Sequence, residues 1–392
     1  MIARSSAALK RRFEIVIVGG GVTGLTLATL LAKCDHADAL DITLIEAAPR
    51  PSFSVKDPVA LRVSAIASGS ADVLSSVGAW PHVVAARLSA YESMRVWDEN
   101  DSPESGSALR FDAADFAVPQ LGFIVENVLL QYALLMALDD TNVVLRFDST
   151  IEALPGADLV VGADGVRSRV RELAGISIQR RPYEQTAFVT HLTPENGHNQ
   201  TAWQRFLRAG PLGMLPLADG RISVVWSTGP EQAQAALAAS DAEIGRLLTE
   251  ASDFVLGELK VAGPKAAFPL CAQTADETVR AGVALIGDAA HAIHPLAGQG
   301  ANLGLQDAVE LAQVIDQAIG RGLHPGDRPV LRRYERARKG ANLTMLHLMT
   351  GLNRLFATDS TLAGEIRMAG MRLFNRSGPI RERAVKVALG VN

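Results

Sequence analysis

The chain has 392 residues, of which 48% are hydrophobic and 20% are charged, and its formal net charge is −4. This length exceeds that of one typical hydrophobic core, so we expect two closely joined domains. The weak negative charge and the lack of long like-charge runs argue against a nucleic-acid partner.

The two cysteines, Cys34 and Cys271, lie far apart in the sequence. Their spacing argues against a disulfide framework and a zinc site, so we expect no metal, and a reducing cytoplasm fits. The basic first residues precede an apolar run that could mimic a signal peptide. That run contains Glu14 and breaks at three glycines, which suits a strand and a turn better. No stretch has the continuous apolar character of a transmembrane helix.

A glycine-rich turn follows the first predicted strand, Phe13–Val18. Its Gly19, Gly21 and Gly24 form the pattern G-x-G-x-x-G, and an apolar helix pattern comes next. In such a unit the first glycine permits a tight turn and the second lets the backbone approach a pyrophosphate. The third allows the helix and the strand to pack closely.

The second predicted strand, Ile42–Ile45, ends at Glu46, about 20 residues after Gly24. A carboxylate at this point can accept hydrogen bonds from both hydroxyls of an adenosine ribose. It favours a ribose without a phosphate, as in FAD or NAD. The alternative is a glycine-rich turn in an unrelated α/β protein.

Residues 179–270 change in character to a meander of strands. The predicted strands and helices are Ala187–Leu192, Thr201–Phe206, Gly213–Leu217, Ile222–Trp226, Pro230–Ala239 (helix) and Asp241–Glu250 (helix). An antiparallel sheet inserted between the halves of an α/β domain suits a cover over a bound substrate. The apolar residues that could line a pocket, or belong to the core, are Trp203, Phe206, Met214, Leu215 and Trp226.

A second glycine-rich stretch lies late in the chain. A buried strand, Val283–Ile286, ends at Gly287 and Asp288, and an apolar-periodic helix is predicted from near Asn302. Asp288 can accept hydrogen bonds from a polyol, glycines let the backbone approach a flat ligand, and a helix start directs unpaired N–H groups towards it. A ligand with a sugar-like chain and a ring that becomes anionic on reduction fits both features, which predicts a flavin. The candidate contacts from these features are Asp288, Gly298, Gly300 and Asn302, and the resemblance described below adds Pro295, Gln299 and Ala301. A glycine-rich loop without a ligand is the alternative.

The end of the chain, from Leu331 onwards, has helical periodicity. Residues 366–386 carry six basic residues and one acidic residue beside several apolar ones. Such a segment could rest on an anionic membrane surface; a terminal helix that packs on the domain or between subunits is the alternative.

These motifs together resemble a known family. The run Gly287–His291, followed by Pro295 and by Gly298–Gly300, is similar to the flavin-end motif of the single-component FAD-dependent aromatic hydroxylases. The longer run His294–Gly304 resembles their ubiquinone-biosynthesis branch, the UbiH, UbiI and UbiF hydroxylases. The resemblance covers nearly the whole chain, from about Phe13 to Gly390.

The resemblance implies an α/β fold in which a Rossmann-like FAD-binding domain carries an inserted antiparallel-sheet substrate domain and a helical C-terminal tail. The expected boundaries are 1–85, 121–178 and 281–340 for the FAD-binding domain, 86–120 and 179–280 for the substrate domain, and 341–392 for the tail. The stretch from Arg146 to Ala157 departs from the family, because relatives carry a longer excursion there.

The resemblance also suggests roles for residues between the two glycine-rich stretches. Arg62 lies in a segment similar to the one whose arginine returns to the cofactor, where a guanidinium could offset pyrophosphate charge. Asn127 and Gln131, one helical turn apart, could reach the polyol chain of the flavin. Asp164 would cap a helix near the pyrophosphate. An ordinary surface or helix-capping role is the alternative for Arg62, Asn127 and Asp164.

The implied activity is hydroxylation of the ring of a polyprenylated phenol in ubiquinone biosynthesis, through a flavin C4a-hydroperoxide. FAD would be the cofactor, NAD(P)H or another reductant the electron donor, and O2 the co-substrate. No catalytic acid or base follows: His191, Gln204 and Arg205 lie in the predicted substrate region, and on sequence grounds we assign each a structural role.

Two other functions remain open at this point. One is a flavin-dependent reductase or oxidase of another hydrophobic substrate. The other is a flavin-binding assembly subunit of a ubiquinone-biosynthesis complex. A homo-oligomer, and a cytoplasmic location with peripheral contact to the inner membrane, are compatible with each.

Overall fold

A computed structural model describes residues 12–292, 299–357 and 361–390. The strands, numbered in chain order, are β1 (Phe13–Val18), β2 (Leu40–Ile45), β3 (Val63–Ala67), β4 (Ser89–Tyr91), β5 (Ser93–Asp98), β6 (Leu109–Asp112), β7 (Gly122–Glu126), β8 (Val144–Arg146), β9 (Leu159–Gly162), β10 (Ile178–Pro194), β11 (Thr201–Leu207), β12 (Gly210–Pro216), β13 (Ile222–Thr228), β14 (Leu259–Val261), β15 (Ala266–Ala275), β16 (Val279–Arg280), β17 (Val283–Leu285) and β18 (His291–Ala292).

The helices are α1 (Val22–Ala32), α2 (Ser68–Ser76), α3 (Trp80–Ala86), α4 (Asn127–Leu138), α5 (Arg169–Leu173), α6 (Pro230–Ala238), α7 (Asp241–Ala251), α8 (Gln299–Gly320), α9 (Arg328–Ala357), α10 (Thr361–Arg376) and α11 (Pro379–Leu389).

The first sheet has the strand order β16-β17-β9-β1-β2-β8. Its central strands are parallel: β1 pairs with β2 and β9, and β9 pairs with β17. These strands are apolar on both faces because both faces are covered. Ile15 and Ile17 join the core formed with α1, α4 and α8, whereas Val16 and Val18 join a second cluster with Val170.

Helices α1 and α8 cross at a glycine. A Cβ atom on Gly304 would lie 2.4 Å from the Thr23 hydroxyl oxygen, so the two helices approach closely only because that side chain is missing. The start of α8 is thereby held beside the glycine-rich turn that precedes α1.

The second sheet has the order β18-β15-β10-β13-β12-β11-β5-β6, with β14 paired to β10. The sequence predicted an antiparallel sheet, and the pairs from β15 to β11 are antiparallel. The β5–β11 pair is parallel. These two strands come from separate parts of the chain, so no hairpin fixes their relative direction.

Helices α6 and α7 cover one face of the second sheet. Phe188, Met214 and Trp226 point to this side and pack into one buried cluster with Ile244 and Leu248 of α7. Because side chains alternate along a strand, the neighbours of these residues face the other side, which we call the inner face.

A small antiparallel sheet, β3-β7-β4, lies between these units, and β7 leads directly into α4. On the far side of the first sheet, the chain passes from β8 to β9 without an intervening strand or helix, and every residue of that connection is described. The stretch that departs from the family is therefore a plain loop.

The C-terminal helices pack against the earlier chain. Helix α9 contacts β11 and β12, and α10 contacts β6. Met371 of α10 packs with Val96 and Phe206, and Val385 and Leu389 of α11 pack with the chain around Leu121. Within the described ranges, no helix combines the length and the apolar character needed to cross a membrane.

Candidate functional site

Four chain segments meet at one edge of the first sheet. Because β1, β2, β9 and β17 run in parallel, their carboxyl ends lie side by side, with Val18 in register with both Ile45 and Gly162, and Gly162 in register with Leu285. The predicted site residues that follow these strands are Gly19, Glu46, Asp164 and Asp288. Ligands of open α/β sheets bind at such an edge.

The glycines of the first turn differ in what surrounds them. Gly19 has a φ of 115°, and a Cβ atom there would lie 2.3 Å from the Ala163 carbonyl oxygen. A Cβ atom on Gly24 would lie 2.0 Å from the Gly19 carbonyl oxygen. A Cβ atom on Gly21 would meet no atom within 4 Å. Gly19 and Gly24 are therefore required by packing, whereas Gly21 leaves an open approach to the backbone, as a bound pyrophosphate needs.

Glu46 lies directly against this turn. One carboxylate oxygen accepts the Gly20 amide at 2.5 Å, and the other accepts the Ala48 amide at 2.7 Å. Gly20 itself has room for no side chain, since its Cβ atom would lie 2.9 Å from the Glu46 Cβ. Each carboxylate oxygen keeps a second lone pair for a ligand hydroxyl.

The start of α4 is tied to the same turn. The Gln131 amide nitrogen donates to the Gly20 carbonyl at 2.9 Å, and Asn127 Oδ1 accepts the Ser64 hydroxyl at 2.7 Å. Within the described chain, Gln131 Oε1 and Asn127 Nδ2 have no hydrogen-bond partner. The carbonyl of exposed Arg62 accepts the Asn127 amide at 3.0 Å.

Asp164 caps a helix, one of the two roles that the sequence allowed. Its Oδ2 accepts the backbone amides of Arg169 and Val170 at 2.6 and 3.1 Å, so it caps α5. Its Oδ1 is buried and has no partner among the described residues. Buried carboxylate oxygens normally accept a hydrogen bond, so a donor from a bound ligand would complete this group.

Asp288 lies in the turn that follows β17. Its side chain is accessible, yet the surrounding protein removes enough water to raise the pKa of the carboxyl group, against the attraction of His291 and Arg62. Gly287 before it has a φ of 57°, a left-handed conformation that turns the chain sharply after β17. A partly desolvated carboxylate that remains accessible to solvent is a group that ligand hydroxyls can stabilise.

Helix α8 begins at Gln299, three residues before the predicted start. The amides of Gln299, Gly300 and Ala301 are therefore in its first turn, where amides lack intrahelical acceptors. A Cβ atom on Gly300 would meet nothing within 4 Å, as at Gly21. The predicted contacts Pro295 and Gly298 lie outside the described residues.

The Asn302 side chain is committed to the small sheet. It is buried, its Nδ2 donates to the Ala65 carbonyl at 2.8 Å, and its Oδ1 accepts the Ala67 amide at 3.0 Å. Asn302 thus extends the edge of β3 like a neighbouring strand, and it fixes the start of α8 against the small sheet.

The sequence did not single out Arg171, which joins two of the ligand-side loops. Its buried guanidinium donates to the carbonyls of Ala289 and Val166 at 2.8 and 2.9 Å. Desolvation lowers its pKa, while nearby Asp164 opposes that shift. The sequence signal for Arg171 is weak: it is an arginine in the first turn of the short helix α5, which Ser168 caps.

Asp307 was also missed. It has no exposed surface, and its Oδ2 accepts the Gly287 amide at 3.0 Å and His291 Nε2 at 2.5 Å, while its Oδ1 accepts Arg338 Nε at 2.7 Å. Attraction and hydrogen bonds from His291 and Arg338 outweigh desolvation and hold its pKa at about 2. The signal was an acid on the apolar stripe of α8, four residues after Leu303. Through these hydrogen bonds Asp307, on α8, connects the loop around Asp288 with Arg338 of α9.

The inner face of the second sheet is partly open. One row crosses five strands in register: Val189, Val225, Gly213, Gln204 and Val96. Of the predicted pocket residues, Trp203, Met214 and Trp226 pack on the opposite face with the α6–α7 cluster, whereas Phe206 and Leu215 lie on the inner face. Strand alternation separates the two groups, which composition alone could not do.

Family models match both parts of this site. A model described as FAD binding domain matches residues 141–345, and one described as NAD(P)-binding Rossmann-like domain matches residues 17–71. The 3-demethoxyubiquinol 3-hydroxylase of Escherichia coli (strain K12) is 34% identical over 96% of this chain and 98% of its own length. The mitochondrial ubiquinone biosynthesis monooxygenase COQ6 of Mus musculus is 33% identical over 96% and 90%, respectively.

Solved structures share the fold. The p-nitrophenol 4-monooxygenase PnpA from Pseudomonas putida DLL-E4 has a TM-score of 0.74 at 19% identity and covers 97% of each chain. PqsL of P. aeruginosa, in complex with 2-aminobenzoylacetate, has a TM-score of 0.73 at 22% identity and covers 92% of this chain and 99% of its own.

Replacing Asp307 tests the buried charge network. We expect Asp307→Asn to lower the free energy of unfolding by about 3–5 kcal/mol at pH 7.5, because it leaves the largely buried guanidinium of Arg338 beside a neutral partner. Asp316→Asn is the control, since Asp316 also lies on α8 and pairs with a histidine, His36, but near the surface. It should cost about 1 kcal/mol or less. Urea unfolding measures both, and equal losses would contradict the role given to Asp307.

Proposed function

The chain belongs to the family of FAD-dependent ubiquinone-biosynthesis hydroxylases, and from this premise we propose that it hydroxylates the ring of a polyprenylated phenol. The proposal rests on one observation. The edge of the first sheet at which the predicted cofactor residues meet is accompanied by the apolar, partly open inner face of the second sheet. Bound FAD, reduced by NAD(P)H or another reductant, supplies the activation of O2. The protein supplies binding, orientation of the ring and exclusion of water.

In this proposal, the open backbone at Gly21 serves the pyrophosphate of FAD, and Glu46 takes the adenosine ribose. The unpaired Asp164 oxygen can only accept, so it takes a hydroxyl of the cofactor near the pyrophosphate. Asp288 takes hydroxyls of the polyol chain, and the amides at 299–301 face the ring end. The further residues of the cofactor site, which contact FAD or hold the contacting segments in place, are Gly19, Gly24, Arg62, Asn127, Gln131, Pro295, Gly298 and Asn302. Asn302 acts by fixing α8, since its own side chain is committed to β3.

The substrate unit comprises 86–120 and 179–280, and its inner face suits a ring with an isoprenoid chain. Val189 and Val225 are partly exposed there. Phe268 of β15 lies on the same face near the edge of the sheet, where it pairs with Ala187 and is 55% exposed. An apolar chain could follow this surface outwards from the sheet centre.

The tail adds a membrane-side element to the proposal. Leu373 of α10 is 71% exposed and adjoins exposed Arg372, a pair that suits contact with an anionic lipid surface. An isoprenoid substrate partitions into lipid, so peripheral contact would bring enzyme and substrate together, alone, as a homo-oligomer or within a ubiquinone-biosynthesis complex. Co-sedimentation with anionic vesicles, absent with neutral ones, tests this contact.

Turnover with isotopically labelled O2 tests the activity. The holoenzyme, NAD(P)H and a short-chain prenylated phenol should yield a ring-hydroxylated product that carries one labelled oxygen by mass spectrometry. Reductant consumption without labelled product would instead indicate a reductase or an oxidase. Flavin binding without any reductant consumption, across NADH, NADPH and chemically reduced flavin, would indicate an assembly subunit.

We expect Asp288→Asn to weaken FAD binding without lowering the stability of the cofactor-free protein. A carboxyl group whose pKa is raised in the fold stabilises it only while protonated, so its ionisation lowers stability as the pH rises through that pKa. At pH 8 the cofactor-free variant should therefore be at least as stable as the wild type. FAD affinity should fall about ten- to hundredfold, because a neutral amide accepts weaker hydrogen bonds than a carboxylate.

Flavin fluorescence titration and thermal unfolding give the two readouts for Asp288→Asn. Asp72→Asn, at an exposed position on α2, is the control and should change neither. Unchanged FAD affinity in Asp288→Asn, or a loss of stability as large as the loss of affinity, would contradict the assignment.

A further inference from the structure

The central row of the inner face contains a single polar side chain. Val189, Val225, Gly213, Gln204 and Val96 lie in register across β10, β13, β12, β11 and β5. Four of the five are valine or glycine. The opposite face of these strands is sealed by α6 and α7, so a ligand that contacts the centre of the sheet must do so from the inner side.

Gln204 is 8% exposed as a whole residue, and its carboxamide has no hydrogen-bond partner among the residues that the structure describes, although neither amide atom is fully buried. Other glutamines of the same sheet are bonded to the backbone. Gln185 Nε2 donates to the Ala209 carbonyl at 3.1 Å, and Gln273 Nε2 donates to the Val166 carbonyl at 2.9 Å. A carboxamide that is mostly shielded from water and lacks a protein partner can be completed by a ligand that reaches it.

Gly213, the direct neighbour of Gln204, leaves space beside it. A Cβ atom on Gly213 would meet only the Val225 carbonyl oxygen, at 3.7 Å, which is ordinary contact. Its φ lies outside the left-handed region, so the backbone does not require glycine. Glycine also weakens a strand interior, and it often marks a place where a ligand approaches the sheet.

We propose that Gln204 determines substrate orientation by hydrogen bonding to an oxygen substituent of the aromatic ring, and that Gly213 provides the space in which the ring lies. This inference rests on the proposed function and names the polar contact within the substrate unit. A carboxamide can accept a hydrogen bond from a ring hydroxyl and donate one to a methoxy oxygen. Gln204 is neutral, so it orients the ring without removing its proton.

The test compares two ligands that differ in one oxygen. Holoenzyme is titrated, without reductant, with a short-chain prenylated phenol and with the same prenylated benzene lacking the hydroxyl, and the change in flavin absorbance gives each Kd. Wild-type protein should prefer the phenol. Gln204→Met, which conserves length and apolar volume, should weaken phenol binding about three- to tenfold and leave binding of the benzene unchanged.

Gln234→Met, at an exposed position on α6, is the matched control and should keep the wild-type preference for the phenol. Gly213→Val is the second variant: its added side chain should weaken both ligands at least about tenfold while FAD content and the unfolding midpoint stay at wild-type values. A purely structural role for Gln204 would lower both affinities together and leave their ratio unchanged.

Loss of the phenol preference in Gln204→Met, with flavin content unchanged, supports the inference. An unchanged preference in Gln204→Met, or normal binding in Gly213→Val, overturns it while leaving the proposed hydroxylation intact. Failure of wild-type protein to bind or oxygenate any prenylated phenol overturns the proposed function, and this inference falls with it.

Discussion

The parallel pairing of β1 with β2 and β9, and of β9 with β17, is the constraint on which the site depends. Parallel strands in register deliver their carboxyl ends to one edge, so residues distant in sequence become neighbours there. Gly19 and Glu46 follow their strands directly, Asp164 lies two residues after β9, and Asp288 lies three residues after β17. A loss of register would separate all four at once, whereas loss of a single side chain would leave the others in place.

The edge of the first sheet does not by itself orient the loop that carries Asp288. Asn302 completes the β3 edge with two backbone hydrogen bonds, and Asp307 joins the Gly287 amide, His291 and Arg338 inside the protein. These contacts bind α8 to the small sheet and to α9. The cofactor side and the substrate side are thus coupled through α8, since α9 in turn contacts β11 and β12.

Much of the fold was readable from local patterns. The strand, G-x-G-x-x-G and helix unit, the later strand at Val283 and strands β11 to β13 of the second sheet appear close to where apolar periodicity placed them. Strand β10 is longer than predicted, and β14 and β15 were not predicted. What periodicity could not give were features set by distant contacts. The parallel β5–β11 pair depends on where the chain returns, and the roles of Arg171 and Asp307 depend on the loops that their side chains meet. Gln204 was assigned a structural role because a sequence cannot show that its amide lacks a partner.

Gly21 gives the most direct test of the central claim, that this sheet edge is a dinucleotide site. It starts α1 with a φ of −71°, which any residue can adopt, and no atom lies within 4 Å of its Cβ position. Threonine caps helices about as well as glycine, so Gly21→Thr should change the free energy of unfolding of the cofactor-free protein by no more than about 0.5 kcal/mol. Its side chain would fill the approach to the backbone, and we predict that the purified variant carries no visible flavin absorbance after incubation with excess FAD. A variant that folds and binds FAD as tightly as the wild type would contradict the account.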